Sequence, residues 1–363
     1  MRTDVHLITN LAQVSGAENM MLRIIEHNRL KPKVQQVVIS LMSISDEVKN
    51  RLPSNVDVYA LNANSGITML LSSLKVAKLL KGKGNLYCWM YHSNVIGAIA
   101  KIFLLGRVNV IWGVRHSLDD YDGESKSTKL AILAGRLLRK IPNKIIYCSQ
   151  RAQEQHEAFG YGGKDKSIYI PNGYNFFKCV ERPFSSEPLI FGAAGRFHEA
   201  KDYNTLIEAI APILEKMPEA KLEMCGREVT GQNTQLTRMI ERAGINKKQV
   251  DLQGQITDMA AFYNNVDVFI LSSKTEGFPN VLAEAAAYGC AVFSTDVGDA
   301  SIIVNNCNHI VPIADSSALT QVIEKYISLP CEQRKNIAYS TSQYVRSQFS
   351  ISHVADQFFA LGK

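Results

Sequence analysis

Short apolar runs alternate with amphipathic stretches twice along the chain, and nothing else in the sequence constrains the fold as tightly. In the first half, apolar runs at 5–9, 36–41, 56–61, 86–90, 108–114 and 144–149 predict strands. Helical patterns over 16–29, 68–81, 94–105, 126–140 and 150–159 lie between them. The second half repeats the scheme, with strands near 188–194, 221–225, 250–253, 267–272, 291–295 and 309–313. Its helices are expected near 203–216, 232–243, 257–264, 279–288 and 316–327. Strands that alternate with helices of this length imply parallel sheets joined by crossover helices. Two such sets imply an α/β chain of two doubly wound domains, a division natural for 363 residues. The boundaries fall at 1–180 and 181–345, and a C-terminal helix over about 346–363 is expected to pack back on the first domain. The segment 179–188 holds two prolines, two serines and charges without a period, and reads as the linker. Ligands of open parallel sheets sit beyond the carboxyl ends of the strands, which predicts binding in a cleft between the domains.

Composition narrows the class of protein. A hydrophobic content of 46% with 20% charged residues is that of a globular chain. No apolar run reaches the roughly 18–20 residues of a membrane span, and the start MRTDVHLIT lacks a signal-peptide pattern. Seven cysteines, scattered and without a C-x-x-C pair, suit reduced thiols in a cytoplasmic protein, most of them small core residues. The net charge of +6 hides an asymmetry: residues 1–180 carry 24 Lys+Arg against 13 Asp+Glu, leaving 40−24 = 16 against 34−13 = 21 for the rest. A basic half joined to an acidic half implies that one half meets an anionic surface or ligand.

The segment from Ser272 to Glu284 follows the apolar strand VDVFILSS and leads into a helix. Gly277 frees the backbone, and Pro279 suits a helix start, where its missing N–H costs nothing. Such a helix start favours an anionic group. Glu276 before the helix and Glu284 about a turn inside it can address one ligand, and carboxylates accept strong hydrogen bonds from sugar hydroxyls. Two isolated glutamates at a helix start are otherwise an ordinary cap and a solvated acid. In FGAAGRFHEAKD, a strand ends in small residues and Arg196 and Lys201 follow. Two cations there could neutralise a diphosphate, although single basic residues are usually solvated. Gly16 opens the helix after the first strand, and His116, beside Arg115, closes the strand VIWGV.

The stretch EGFPNVLAEAAAYG resembles the E-x7-E region of retaining GT-B glycosyltransferases, specifically family 4 (glycosyl transferases group 1), and Arg196 with Lys201 is similar to that family's G-R-(x)4-K pattern. The resemblance covers nearly the whole chain and is strongest from 188 to 300. It implies the GT-B fold, two Rossmann-like domains facing each other across a cleft. It gives Glu276 to the donor sugar, Glu284 to the nucleotide ribose, and Arg196 and Lys201 to the pyrophosphate. The backbone of Phe278, Pro279 and Asn280 would lie near the diphosphate or sugar. Gly16 matches the family's Gly-Gly-Ala-Glu motif, with Ser15 in place of its first glycine. His116 matches a histidine near the reacting sugar, a role Arg115 could share or take; His92 is a lesser contender. Leu222–Gly226 and Leu252–Gly254 are similar to strand ends that line the base pocket.

The expected activity is retaining transfer of a hexosyl or N-acetylhexosaminyl unit from a nucleoside diphosphate sugar, a UDP-sugar first. The acceptor would be a sugar hydroxyl of a lipid-linked or polysaccharide precursor in bacterial surface glycan synthesis. A nucleotide-sugar epimerase or hydrolase on the same plan, or a non-catalytic sugar-binding protein, are the alternatives. No cofactor or metal is expected: the D-x-D at Asp120–Asp122 reads as a solvated acidic loop with Asp119 and Glu124. Two basic, leucine-rich helical patterns, 75–83 and 129–140, support peripheral contact with anionic lipid at the inner face of the cytoplasmic membrane. No aromatic-interleaved basic stripe points to nucleic acid.

Overall fold

The computed structural model describes residues 2–28, 34–81, 84–119, 121–176 and 189–362. The chain divides into two compact units, Met1–Asn175 with Ile351–Lys363, and Phe176–Ser350. The linker expected at 179–188 lies outside the described residues. The first unit ends at 175, five residues before the expected boundary, and the C-terminal return begins at Ile351.

The first unit holds seven parallel strands: β1 (Arg2–Ile8), β2 (Val34–Ser40), β3 (Asp57–Ala60), β4 (Asn85–Trp89), β5 (Asn109–Val114), β6 (Lys144–Tyr147) and β7 (Ser167–Tyr169). Their order in the sheet is β3-β2-β1-β4-β5-β6-β7. Alternate side chains go to opposite faces. Val5, Leu7, Leu86, Cys88, Val110 and Trp112 pack under helices Gly66–Leu80, Tyr91–Phe103 and Lys126–Leu138. On the other face, Val38, Trp89, Ile111 and Ile146 pack under Gly16–Asn28, Asp46–Arg51 and Ile351–Ala360. Ser45, Ser65, Ser125 and Ser149 each cap a following helix through their hydroxyl oxygen, which accepts an orphan amide. The C-terminal helix completes this unit: Phe358 stacks on Trp89 at 5.8 Å, and the Ile351 amide donates to the Tyr174 carbonyl at 2.8 Å. The helix expected over 346–363 is in fact two elements, because Cys331–Gln348 belongs to the second unit and only Ile351–Ala360 to the first.

The second unit holds six parallel strands: β8 (Ile190–Ala194), β9 (Lys221–Cys225), β10 (Val250–Leu252), β11 (Val268–Leu271), β12 (Ala291–Thr295) and β13 (Ile310–Val311). Their order is β10-β9-β8-β11-β12-β13. Phe191, Leu222, Met224, Ile270 and Phe293 form one core with the helices Tyr203–Lys216, Thr234–Arg242 and Ser316–Ile327. Each fully buried Leu, Ile or Phe in such a core contributes roughly 1.5–3 kcal/mol. The order of strands reverses between β8 and β11 here, and between β1 and β4 in the first unit. Those are the switch points where neighbouring crossovers leave in opposite directions and the loops after the strands splay apart.

Candidate functional site

The switch point of the second unit brings together Lys201 and Glu276. After β8 the chain runs through Gly195 and Arg196 into a single turn, Glu199–Lys201, then into helix Tyr203–Lys216. Asp202 adopts a left-handed conformation, φ 44°, and its carboxylate accepts from the Thr205 hydroxyl at 2.8 Å, which starts the helix. The loop after β11 is tied to this turn by two hydrogen bonds. The Lys274 amide donates to the Ala200 carbonyl at 2.8 Å, and the Ser272 hydroxyl donates to the Lys201 carbonyl at 2.9 Å. Two loops from neighbouring strands are thereby locked side by side, and the Lys201 ammonium meets the Glu276 carboxylate in a hydrogen-bonded ion pair.

Glu276 is held from a second direction. The buried Ser273 hydroxyl donates to the same carboxylate oxygen at 2.9 Å, and the Ser273 carbonyl accepts from the Thr295 hydroxyl at 2.6 Å. Gly298, φ 50°, brings the loop after β12 so close that a Cβ there would stand 2.9 Å from the carbonyl oxygens of both Glu276 and Gly277. A charged side chain fixed by a cation, a hydroxyl and a rigid backbone is poised to bind, because little ordering remains to be done when a ligand arrives. Ser273 and Thr295 were given no role by sequence reasoning. Their signal was present as paired hydroxyl residues closing two adjacent apolar strands, Ser272-Ser273 and Ser294-Thr295.

Around this pair, Phe278 is buried edge-on to Phe349 at 5.6 Å, and Pro279 occupies the cap position of helix Asn280–Ala287, without a side-chain cap. Glu284 lies in that helix, and its carboxylate accepts from the Tyr263 hydroxyl at 3.1 Å. Burial, with the Glu284 charge adding to it, raises the Tyr263 phenol well above its ordinary value, so it stays a proton donor to the carboxylate. Gly226, φ 141°, ends β9, and a Cβ there would lie 1.9 Å from the Gly195 carbonyl oxygen. Only glycine lets these two strand-end loops touch. The Gly226 amide also donates to the Gly254 carbonyl at 2.7 Å, joining the two segments expected to line a base pocket. Arg196 is exposed, and among the described residues it makes no ion pair or hydrogen bond.

The remaining predicted residues lie in the first unit. Gly16 opens its first helix, and Ser15 donates through both amide and hydroxyl to the Glu18 carboxylate, which holds the turn. His116 follows β5, and its Nε2 lies 2.6 Å from Glu124 Oε1. Glu124 therefore is not the solvated acid expected of that loop: Ser125 caps the next helix and fixes Glu124 beside the strand end. Arg115, the alternative to His116, is placed differently. Its guanidinium is buried over Trp89 and Phe358, at 5.5 and 5.2 Å, and donates to the Ile170 carbonyl and the Asn172 side chain. Burial lowers it to about 10. His92, half-buried, is also pushed below its ordinary value by burial. Met90, at the end of β4, holds φ 71°, a strained conformation of the kind that collects at functional strand ends.

Asp119 accepts from Arg151 at 2.9 Å and from Gln155 at 2.5 Å, Asp122 is exposed, and Asp120 lies outside the described residues. Among the described residues no group of three or more His, Cys, Asp or Glu is placed to hold a metal ion. Cys88, Cys148, Cys225 and Cys290 are buried free thiols, Cys307 is exposed, Cys331 is half-buried, and Cys179 lies outside the described residues.

Two parallel doubly wound units, with an ion pair at the switch point of the second, define the chain as a GT-B protein. HepE from Anabaena, whose crystal structure is in complex with UDP, has the same fold: the TM-score is 0.81 at 19% identity, over 99% of each chain. Residues 188–328, within the second unit, match the family model described as Glycosyl transferases group 1. The capsular polysaccharide biosynthesis glycosyltransferase CapM of Staphylococcus aureus is 28% identical over 214 residues, 58% of this chain and 56% of CapM. The lipopolysaccharide core biosynthesis glycosyltransferase LpsE of Rhizobium meliloti is 26% identical over 262 residues, 70% of this chain and 75% of LpsE. The chain spans little more than half the length of the first curated relatives it matches, 54% and 56%. Among the described residues no helix is long and apolar enough to cross a membrane.

Proposed function

We propose that this protein is a retaining glycosyltransferase that moves a hexosyl or N-acetylhexosaminyl unit from a nucleoside diphosphate sugar, a UDP-sugar first, to a sugar hydroxyl of a lipid-linked or polysaccharide precursor. The observation that carries the reading is the Lys201–Glu276 pair at the switch point of the second unit. One member suits a diphosphate and the other a sugar hydroxyl, and both are held by the same two loops. In this reading an arriving diphosphate competes with Glu276 for the Lys201 ammonium. The freed carboxylate, still held by Ser273, accepts from a donor hydroxyl. Lys201 and the exposed Arg196 stabilise the departing diphosphate without a metal ion. The acceptor hydroxyl attacks C1 on the face the diphosphate leaves, and its proton passes to a leaving-group oxygen. Glu284 takes the ribose hydroxyls, with the Tyr263 phenol orienting its carboxylate. The backbone of Phe278 to Asn280 and the Gly16 turn meet the donor, and His116, its imidazole held by Glu124, acts at the reacting sugar. The names of CapM and LpsE support a place in bacterial surface glycan synthesis.

Thermal-shift screening against UDP-, GDP-, ADP- and dTDP-sugars tests the donor, and NMR of the product anomer tests retention. One nucleotide should raise Tm, Lys201→Ala should abolish that shift and turnover alike, and the donor anomer should persist in the product. Near-normal turnover in Lys201→Ala, or activity lost in EDTA and restored by Mn²⁺, overturns the assignment.

A further inference from the structure

We infer that one face of the first unit is a docking surface for an anionic lipid bilayer. Helix Gly66–Leu80 buries Ser72, Ser73, Val76, Ala77 and Leu80 against the sheet, as a surface helix should. Its opposite, solvent-facing side is apolar as well: Ile67, Leu70, Leu71 and Leu74 are 74%, 55%, 57% and 52% exposed. Their spacing, i, i+3, i+4 and i+7, is one helical stripe, and Lys78 extends it by a turn. Helix Lys126–Leu138 repeats the design. Its outward positions read Lys126, Leu130, Leu133 and Leu137, then Lys140 just beyond the helix, with Leu137 84% exposed. Helix Tyr91–Phe103 packs between these two, and its end adds exposed Ile102, Phe103 and Leu105. Scattered surface leucines need no explanation, but two leucine stripes and an aromatic in one helical layer do.

The charges say what covers them. The three helices that bear these apolar residues carry Lys75, Lys78, Lys101, Lys126, Lys129 and Arg136 and no Asp or Glu, while helix Gln150–Phe159, beside Lys126–Leu138 on the same face, adds Arg151 against Glu154 and Glu157. Helices on the opposite face of the same sheet carry Glu18, Glu26, Asp46, Glu47 and Asp356 against Arg23, Lys49 and Arg51. Asp122 and Glu124 lie ahead of helix Lys126–Leu138 at its N-terminal end, and Glu124 is tied to His116. At the far end of the layer the cations crowd one another: burial first, then the charge of Lys166, lowers the Lys101 ammonium. A second copy of this chain would set cation against cation, and a nucleic acid would leave the leucines in water. A bilayer with acidic headgroups takes both, because the leucines enter its hydrocarbon boundary while the lysines reach the phosphates. This surface is independent of the donor site, and neither reading requires the other.

Flotation of the full chain with vesicles of phosphatidylcholine containing 30% phosphatidylglycerol tests it, with pure phosphatidylcholine as the contrast. The protein should float with the acidic vesicles and stay behind with the neutral ones. Replacing Lys78 and Lys140 by glutamine should weaken partitioning roughly fivefold per cation. Leu70→Ser/Leu74→Ser/Leu137→Ser should weaken it at least tenfold while Tm and nucleotide binding stay unchanged, since all three side chains are already exposed. Failure of the wild-type chain to float at physiological ionic strength, or flotation of the leucine variant like wild type, overturns the proposal. So does a wild-type dimer in sedimentation velocity that the leucine variant dissolves, which would make a second copy the true partner.

Discussion

Replacing Glu276 by glutamine should separate nucleotide binding from sugar transfer, in opposite directions. Lys201 and Glu276 are hydrogen-bonded, and their side chains keep 21% and 14% of their exposure, so the pair sits between the surface and interior limits. At an effective dielectric of about 20, two unit charges about 3 Å apart attract by roughly 5–6 kcal/mol before any cost is counted. Desolvation and side-chain ordering leave about 1–3 kcal/mol of this. A diphosphate that takes over the Lys201 ammonium must displace that interaction. Glutamine keeps the size and the contact with Ser273 but removes the charge, which returns about 1 kcal/mol to nucleotide binding and tightens Kd for the nucleoside diphosphate roughly fivefold.

The donor sugar feels the reverse. A carboxylate accepting from a sugar hydroxyl is worth about 1.5–3 kcal/mol, so its loss slows turnover by roughly ten- to a hundredfold. Calorimetry with UDP, or with whichever nucleotide the thermal screen selects, reads the first effect, and a radiolabelled transfer assay reads the second. Tighter nucleotide binding with slower transfer is the expected pattern. Weaker nucleotide binding together with undiminished transfer would refute the argument, because Glu276 would then neither restrain Lys201 nor serve the sugar.

Two further outcomes follow from groups away from the pair. His6 and His156 are fully buried and held neutral, each lowered from 6.5 to about 4 chiefly by burial, with Asp4 opposing it at His6. The unfolded chain therefore binds more protons between pH 4 and 6.5, and each histidine removes up to roughly 3 kcal/mol of stability as pH falls through that window. Urea unfolding should show stability complete above pH 6.5 and falling by pH 5; a flat profile would contradict the burial of both rings. Gly226→Ala must place a methyl 1.9 Å from the Gly195 carbonyl at φ 141°, so it should cost at least about 2 kcal/mol and abolish the nucleotide-induced Tm shift. Gly231→Ala, with nothing within 4 Å, should change neither.

The parts legible in the sequence were those written as a period or as a local pattern. The central strands of both sheets announced themselves because they are buried on two faces and read as unbroken apolar runs, such as Val110-Ile-Trp-Gly-Val, whereas the short, partly exposed edge strand β7 (Ser167–Tyr169) was not foreseen. Lys201 and Glu276 were legible as types of residue at strand ends. Their contact was not, since 75 positions separate them and it depends on the switch between β8 and β11. Arg115 shows the limit most clearly. In sequence it is a cation beside His116 at the end of a strand and a fair contender for the same chemistry. What the local pattern does not show is Phe358, more than two hundred residues on, whose helix returns to the first unit and roofs the guanidinium against Trp89. The outward leucines of helix Gly66–Leu80 show the converse. A helix apolar all round normally lies buried in a core, and this one has its polar Ser72 and Ser73 on the sheet side, where their hydroxyls are satisfied by the Met69 and Leu70 carbonyls. Small polar residues that bond back to their own helix can be buried at little cost. Core packing therefore does not account for the leucines on the other side, and a partner outside the chain is the remaining reason to keep them there.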